Sequence, residues 1–285
     1  MDNIDLIKKE IGNCLLVAVS KTKSYEDILK VYDKGVRDFG ENYVQELIDK
    51  MDNLPKDIRW HMIGHLQTNK VKDIVKRNIF LIESVDSIKL ANTINKEAIK
   101  NDKIINILIE VNIVNDTNKT GCLVDELDDL IGNVRELSNV KLLGLMGIGP
   151  NTDNVLEIRG CFKKLKQLKD KYNLELLSMG MSNDYKIAIE EGSNIVRIGT
   201  KIFGEREKII KCPNCNNKMI KIEYGMPSDE LIELSEKGII QLGGCTITDS
   251  DPIYYCKNCR RKYFDNLKDY IEDSDLMEML NDRDN

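Results

Sequence analysis

The 285-residue sequence predicts an α/β protein: a (β/α)8 TIM barrel with a small metal-binding domain at its C-terminal end. Three observations predict this. Eight short runs rich in Val, Ile and Leu alternate with helical patterns between residues 15 and 200. No GxGxxG follows the first run, which removes the usual reason to prefer an open doubly wound sheet. Two CxxC pairs, CPNC at 212–215 and CKNC at 256–259, crowd into the last quarter with 40 residues between them. The expected domains are 1–208 for the barrel and 209–285 for a zinc-ribbon-like domain with a C-terminal helix.

The strands are read in order from LLVAVS (15–20), DFG (38–40), WHMIG (60–64), IFLIES (79–84), INILIEVNI (105–113), VKLLGLMGI (140–148), LELLSMG (174–180) and NIVRIGT (194–200). Most are nearly unbroken apolar runs, as strands buried on both faces should be. Helical spacing fills the intervals: YEDILKVYDKG, YVQELIDKM, NKVKDIVKR, SIKLANTINKEAIK, VDELDDLIGNVREL, VLEIRGCFKKLKQLKDKY and YKIAIEEG. In the sixth of these, Val155, Ile158, Phe162, Leu165 and Leu168 draw one apolar stripe. Right-handed crossovers then close the strands into a barrel. The body is shorter than the usual barrel of about 250 residues, so its loops should be tight.

Composition narrows the function classes. Charged residues make up 32% and the net charge is -6, but the charge is unevenly divided. From Cys212 to Asn285 there are 9 Lys and Arg against 15 Asp and Glu, so residues 1–211 are neutral and the tail is acidic. That distribution argues against nucleic acid as a partner, and the short basic cluster of Lys257, Arg260, Arg261 and Lys262 lies among acidic neighbours. No run approaches the roughly 20 apolar residues of a membrane helix, and the acidic start lacks the basic-then-apolar order of a signal peptide. A cytoplasmic protein without membrane contact is expected. Cys14, Cys122 and Cys161 have no repeated spacing and read as core thiols.

In such a barrel the active end is where the strands run out. Read that way, Lys21, Asn42, His65, Met146, Ser178 to Ser182 and Arg197 to Thr200 are the informative positions. Lys21 follows the first strand directly, and a lysine in a partly apolar pocket can attack a carbonyl to give a Schiff base. SMGMSND offers Ser178, Gly180 and Ser182, while RIGTKIFG offers Gly199 and Thr200. Hydroxyls and glycine N–H groups after strands seven and eight match the usual phosphate site of this fold. Taken singly, Lys21 also reads as a solvated loop lysine, the two loops as ordinary turns, and Arg197 as a rim salt bridge. Together they fit one ligand, with an aldehyde at one end, a phosphate at the other and an aromatic ring between. An arginine beside the ring nitrogen of pyridoxal phosphate keeps that nitrogen unprotonated, which weakens the ring as an electron sink.

VAVSKTK (17–23), FGENYVQE (39–46), WHMIGHLQTNK (60–70), GLMGI (144–148) and SMGMSNDYKIAIEEGSNIVRIGTKIFG (178–204) closely resemble the pyridoxal phosphate homeostasis protein family. The resemblance spans nearly all of residues 11–206. It implies a barrel of the alanine racemase N-terminal type that holds pyridoxal 5'-phosphate on Lys21. By the same resemblance, Ser182, Gly199 and Thr200 hold the phosphate, Arg197 faces the ring nitrogen, and Asn42 lies near the cofactor. The implied role is to balance vitamin B6 and amino-acid pools, with no residue assigned a catalytic part. Two departures stand out: a short segment before the first strand, which implies a shortened N-terminal helix and a barrel bottom less covered, and the C-terminal extension.

Racemisation is the competing reading, and it needs two positioned acid/base groups. Alanine racemase takes its tyrosine from a separate β domain, and none follows the barrel here. Tyr43 is expected to pack in the second helix and Tyr185 to open the seventh. The chain's two histidines lack metal spacing; His61 is expected inside or at the rim of the barrel, and His65 nearer the mouth. Free amino acids are the small-molecule partners this reading admits.

The four thiols Cys212, Cys215, Cys256 and Cys259 suit tetrahedral zinc, and metal binding would help fold so small a segment. Iron fits the same ligands, and Cys245 in LGGCTI is a fifth candidate. Paired disulfides are the alternative, disfavoured in a cytoplasmic chain. Between the knuckles, Ser228 caps a predicted helix ending at Gly238, and IYYC reads as a strand. Leu267, Ile271, Met277 and Leu280 predict a last amphipathic helix that docks on the barrel or on a protein partner. A third reading follows, an interaction protein that acts through its zinc-binding tail.

Overall fold

The computed structural model describes residues 3–116, 119–204, 210–245 and 251–264. The chain folds as two compact units, 1–205 and 206–285. The boundary expected at 208/209 and the amphipathic helix expected after 265 lie outside the described residues.

The first unit is a closed barrel of parallel strands: β1 (Leu15–Val19), β2 (Asp38–Glu41), β3 (Arg59–Met62), β4 (Leu81–Val85), β5 (Ile105–Val111), β6 (Val140–Gly147), β7 (Leu176–Ser178) and β8 (Ile195–Ile198). Pairing runs in chain order, and β8 closes on β1 with Leu15 opposite Ile195 and Ala18 opposite Ile198. Around it lie α1 (Asn3–Ile11), α2 (Tyr25–Asp33), α3 (Val44–Asn53), α4 (Val71–Val75), α5 (Ile88–Lys100), α6 (Leu127–Arg135), α7 (Val155–Lys171), α8 (Tyr185–Glu190) and α9 (Thr200–Phe203). None of the described helices is long and apolar enough to cross a membrane.

The helices begin where the sequence supplies acceptors for their free N–H groups. Ser24 accepts from Asp27 N, Ser87 from Leu90 N, and Asn154 from Leu156 and Glu157 N. Ile158, Phe162 and Leu165 of the α7 stripe are buried, whereas Val155, in the first turn, is half exposed. The N-terminal segment forms a nine-residue helix that buries Ile4, Ile7 and Ile11.

Strand alternation divides the barrel into two layers of packing. Ala18, Phe39, Trp60, Met62, Ile82, Ile107, Ile109, Leu145 and Val196 face the helices in one large core. Val17, Leu81, Leu108, Met146 and Ile195 form a small cluster on the other side of the strands, inside the barrel. That inner cluster is small because Asp38, His61, Glu83, Glu110, Ser178 and Arg197 alternate with outward apolar neighbours and are themselves buried. The interior is therefore packed largely with polar groups that must satisfy one another.

The second unit is a four-stranded sheet in the order β10-β9-β11-β12. It comprises β9 (Ile220–Tyr224), α10 (Asp229–Glu236), β10 (Ile240–Gly244), β11 (Tyr254–Cys256) and β12 (Arg261–Tyr263). Ser228 caps α10 by accepting from Leu231 N, and Gly238 follows it at φ +68°. The parallel pairing of β9 with β10 across α10 had no signal in the cysteine spacing. Among the described residues its buried apolar core is thin: Ile210, Met219, Ile222 and the thiols of Cys212 and Cys256.

Gly144 sits where β6 shifts register against β5, and a Cβ there would overlap the backbone of Leu176 on β7. Gly144→Ala should therefore push β6 and β7 apart and lower the unfolding free energy by about 1–3 kcal/mol in urea titration.

Candidate binding site at the barrel mouth

Because the strands are parallel, the residues that follow them collect at one end. Lys21 lies in the turn just past the end of β1 and is half-buried. Asn42 follows β2 and is also half-buried. A Cβ on Gly64, just past β3, would overlap the backbone of Asn42, so the two strand exits touch main chain to main chain. Ser182 lies half-buried in the turn between β7 and α8. That turn is held by Asp184 Oδ1, which accepts from Met181 N at 2.6 Å, and by Gly180 at φ +94°. Gly199 brings the exit of β8 against β1, since a Cβ there would lie 3.3 Å from Val19 O. Thr200 follows it, exposed.

Arg197 is 4% exposed on the inner wall. Its Nη1 donates to Ser178 Oγ at 2.5 Å and its Nη2 to Gly147 O at 3.0 Å. Ser178 Oγ in turn donates to Glu83 Oε2 at 2.5 Å. Glu83 Oε1 lies 2.7 Å from His61 Nδ1, and His61 Nε2 lies 3.2 Å from Asp38 Oδ1. Asp38 completes the chain by accepting from Arg59 Nε at 2.7 Å. One line of hydrogen bonds thus runs through the barrel from Arg59, at the start of β3, to Arg197 near the end of β8.

The charges in this line are mutually dependent. Burial opposes the charged form of His61, but hydrogen bonds to Asp38 and Glu83 outweigh it and raise the imidazole above its usual 6.5. Burial likewise pushes Glu83 up, and His61 and Arg197 bring it below 4.5. Asp38 is held below its usual 3.8, its burial outweighed by Arg59 and His61. Glu110, 4% exposed on β5, goes the other way: burial raises it, against the hydrogen bond that Thr120 Oγ1 donates at 2.7 Å. Arg197 is lowered by burial.

The sequence gives little sign of this line. Ser178 was expected on the phosphate-binding loop; it is instead fully buried in β7 and bound to Glu83 and Arg197. Glu83 carried a usable signal, as an acid inside the otherwise mostly apolar run IFLIES, whereas Asp38 opens its run and reads as an ordinary strand-start residue. His61 is interior, as expected, and its two ring nitrogens are both occupied by carboxylates. His65 is half exposed near the mouth, with Nδ1 3.5 Å from Asp86 Oδ2. Tyr43 stands just ahead of α3 as its N-cap residue. Tyr185 opens α8 but is turned toward α1, its hydroxyl donating to Glu10 and its ring 4.7 Å from Lys201 Nζ.

In the second unit, Cys212, Cys215, Cys256 and Cys259 place four sulfur atoms within 4.8 Å of one another. None of the four is in a disulfide. Donors face the sulfurs: Asn214 Nδ2 lies 3.3 Å from Cys259 Sγ, Cys259 N 3.4 Å from Cys256 Sγ, and Tyr263 Oη 3.1 Å from Cys212 Sγ. Donors of this kind favour the thiolate, the form that binds metal, but the outcome is uneven. Backbone N–H groups help bring Cys215 down to about 6, and Cys212 is also lowered. Burial raises Cys256, and against the Asn214 hydrogen bond neighbouring thiols hold Cys259 up at about 11. Cys245 is exposed at the end of β10 and lies outside the cluster.

Residues 1–207 match the model of the alanine racemase N-terminal domain. A pyridoxal phosphate homeostasis protein of Aquifex aeolicus (strain VF5) is 46% identical over 203 residues, covering 68% of this chain and 89% of its own. The chain belongs to the pyridoxal phosphate homeostasis protein family. A fission yeast family member, from Schizosaccharomyces pombe, is 38% identical over 216 residues, covering 71% of this chain and 91% of its own. Among solved structures, PipY of Synechococcus elongatus PCC7942, a structure with pyridoxal phosphate bound, superposes with a TM-score of 0.67 at 31% identity. That match covers 71% of this chain and 98% of PipY. Alanine racemase from Streptomyces coelicolor A3(2) shares the fold at a TM-score of 0.60 with 13% identity, covering 72% of this chain and 57% of the racemase. The family's barrel accounts for the first unit, and the cysteine cluster is an addition to it.

His61→Gln leaves Asp38 and Glu83 buried without their shared cation. Breaking such a pair should cost about 3–5 kcal/mol in chemical denaturation near pH 6. A raised histidine stabilises fully below 6.5 and loses its contribution as pH climbs through the raised value; lowered carboxylates stabilise above their usual range and lose it as pH falls. The deficit of the variant should therefore shrink as pH rises above neutrality, checked by denaturation at several pH values.

Proposed function

We propose that the barrel holds pyridoxal 5'-phosphate at its mouth, bound through Lys21, and serves vitamin B6 and amino-acid homeostasis as a carrier without substrate turnover. One observation carries this reading: an amine after β1, polar loops after β7 and β8, and a rigidly held guanidinium on the wall all belong to the same end of the barrel. When bound, the cofactor supplies an aldehyde that condenses with amines and a ring that can spread developing negative charge.

The residues present fit that group. Lys21 offers the amine for its aldehyde. Ser182 and Thr200 offer hydroxyls for its phosphate, and Gly199 lets main chain approach where a side chain would intrude. Asn42 stands at the neighbouring strand exit. Arg197 is a pure donor, so it complements a ring nitrogen that accepts, and its charge disfavours protonation there. A ring so held is a poor electron sink, which favours holding over turnover. The tyrosines support the same reading: Tyr185 is engaged by Glu10, and Tyr43 borders α3. The names and the bound cofactor of the relatives agree with it. Free amino acids are the ligands that would compete with Lys21 for the aldehyde.

For the second unit we propose a structural zinc ion on Cys212, Cys215, Cys256 and Cys259, in a cytoplasmic protein whose reduced thiols remain free to bind it. The unit's thin apolar core supports a metal as its main source of stability. A protein partner for this acidic domain is the third element of the reading.

The purified chain incubated with pyridoxal phosphate should show an absorption band at the edge of the visible range that Lys21→Ala abolishes while far-UV circular dichroism is unchanged. Retention of the band in that variant would refute the assignment of Lys21, and exchange of the Cα proton of added amino acids would refute the carrier reading in favour of a racemase.

Metal analysis should find stoichiometric zinc. A strong chelator or Cys212→Ser should unfold the 206–285 unit in limited proteolysis and spare the barrel.

A further inference from the structure

The main chain around Lys21 is unusual. Thr22 has φ +65°, a left-handed conformation that a β-branched residue rarely adopts. Such a backbone persists only where its surroundings over-determine it. Here they do. Lys50, on α3, is 2% exposed and spends all three ammonium hydrogens on nearby acceptors: Ser20 O at 2.7 Å, Glu41 Oε1 at 2.9 Å and Glu46 Oε1 at 2.6 Å. Glu46 Oε1 also accepts from Thr22 N at 2.6 Å. Glu41 Oε1 accepts from Ser20 Oγ at 2.5 Å. The carbonyl before Lys21 and the N–H after it are therefore gripped by one ion-pair triangle.

Glu41 is fully buried, burial pushes its carboxyl up to about 7 against the pull of Lys50, and its Oε2 has no partner. Two ionisable groups are thus kept out of water, an arrangement that costs desolvation. What the triangle achieves is local: it fixes the two peptide groups that aim one side chain.

We propose that Lys50, Glu46 and Glu41 are positioning residues that lock the Ser20–Thr22 turn and so aim the Lys21 amine at the pyridoxal phosphate aldehyde. The inference rests on the assignment of Lys21 to the cofactor. Glu46 is the cleanest point of attack, because it is partly exposed and its removal leaves Lys50 paired with Glu41.

The test measures two quantities on the full chain: amide hydrogen exchange over residues 20–23 without cofactor, and pyridoxal phosphate affinity. Glu46→Ala should speed exchange at Thr22 by about tenfold or more and weaken pyridoxal phosphate binding by about tenfold to a hundredfold. Glu46→Gln, which keeps the acceptor oxygen, should restore most of both. The double variant Glu41→Gln with Lys50→Met leaves no lone buried charge, so it should fold and reproduce the Glu46→Ala loss. Unchanged exchange in Glu46→Ala, or faster exchange with unchanged affinity, overturns the proposal. Lys21→Ala is measured alongside: full affinity there refutes the cofactor assignment itself, whereas loss there with full affinity in Glu46→Ala refutes the positioning role alone.

Discussion

A guanidinium buried inside a barrel has to be neutralised where it stands, and much of the inner architecture follows from meeting that demand at Arg197. The neutralisation is not a single ion pair. Glu83 Oε2 is 3.9 Å from Arg197 Nη1, too far for a direct hydrogen bond, and Ser178 fills the gap. Glu83 is then shared with His61, His61 with Asp38, and Asp38 with Arg59, which is half exposed and delivers the last charge to water. Each member satisfies its neighbour's remaining valence, and the low local dielectric makes each bond strong only while the rest are present. The result is a rigid guanidinium at the wall of the mouth, which the proposed ring-nitrogen contact needs.

Much of the barrel was legible in the sequence because strands buried on both faces are rich in apolar residues, and most of the eight runs are nearly unbroken. The observed strands fall within or one residue beyond the runs read from sequence, as with Leu81–Val85 against IFLIES at 79–84. The mouth was legible for a related reason: strand ends are where polar residues return, so Lys21, Asn42, Ser182 and Thr200 stand out against what precedes them. The inner line was not legible, because pairing across a barrel joins residues that no local pattern connects. His61 and Glu83 are 22 positions apart, and Ser178 and Glu83 are 95 apart. The Lys50 triangle was hidden differently, since a lysine at helical spacing from a glutamate looks like an exposed surface pair until burial is known.

The second unit illustrates the opposite balance. Its four thiols were plain from spacing, because two short knuckles need little more than proximity to place their sulfurs. Its topology was not, because the 40 residues between the knuckles contain a parallel pair joined by a helix, a unit set by tertiary packing more than by local signal. The barrel buries one large apolar core between strands and helices and a small one inside, while among its described residues the second unit buries few side chains beside its four sulfurs. With the proposed metal on those sulfurs, the second unit would be sensitive to oxidants and chelators where the barrel is sensitive to cavities.

The length of the inner line has an evolutionary corollary. Five ionisable side chains on four strands share one charge balance, so no member is free to drift by itself: a neutral replacement at any point strands its neighbours. Substitutions along this column must arrive in compensating pairs, and sequence variation should be correlated across strands that are distant in the chain. The foot of the barrel, ordinarily the permissive end of such a fold, is through Arg59 and Asp38 bound to the same constraint as the mouth.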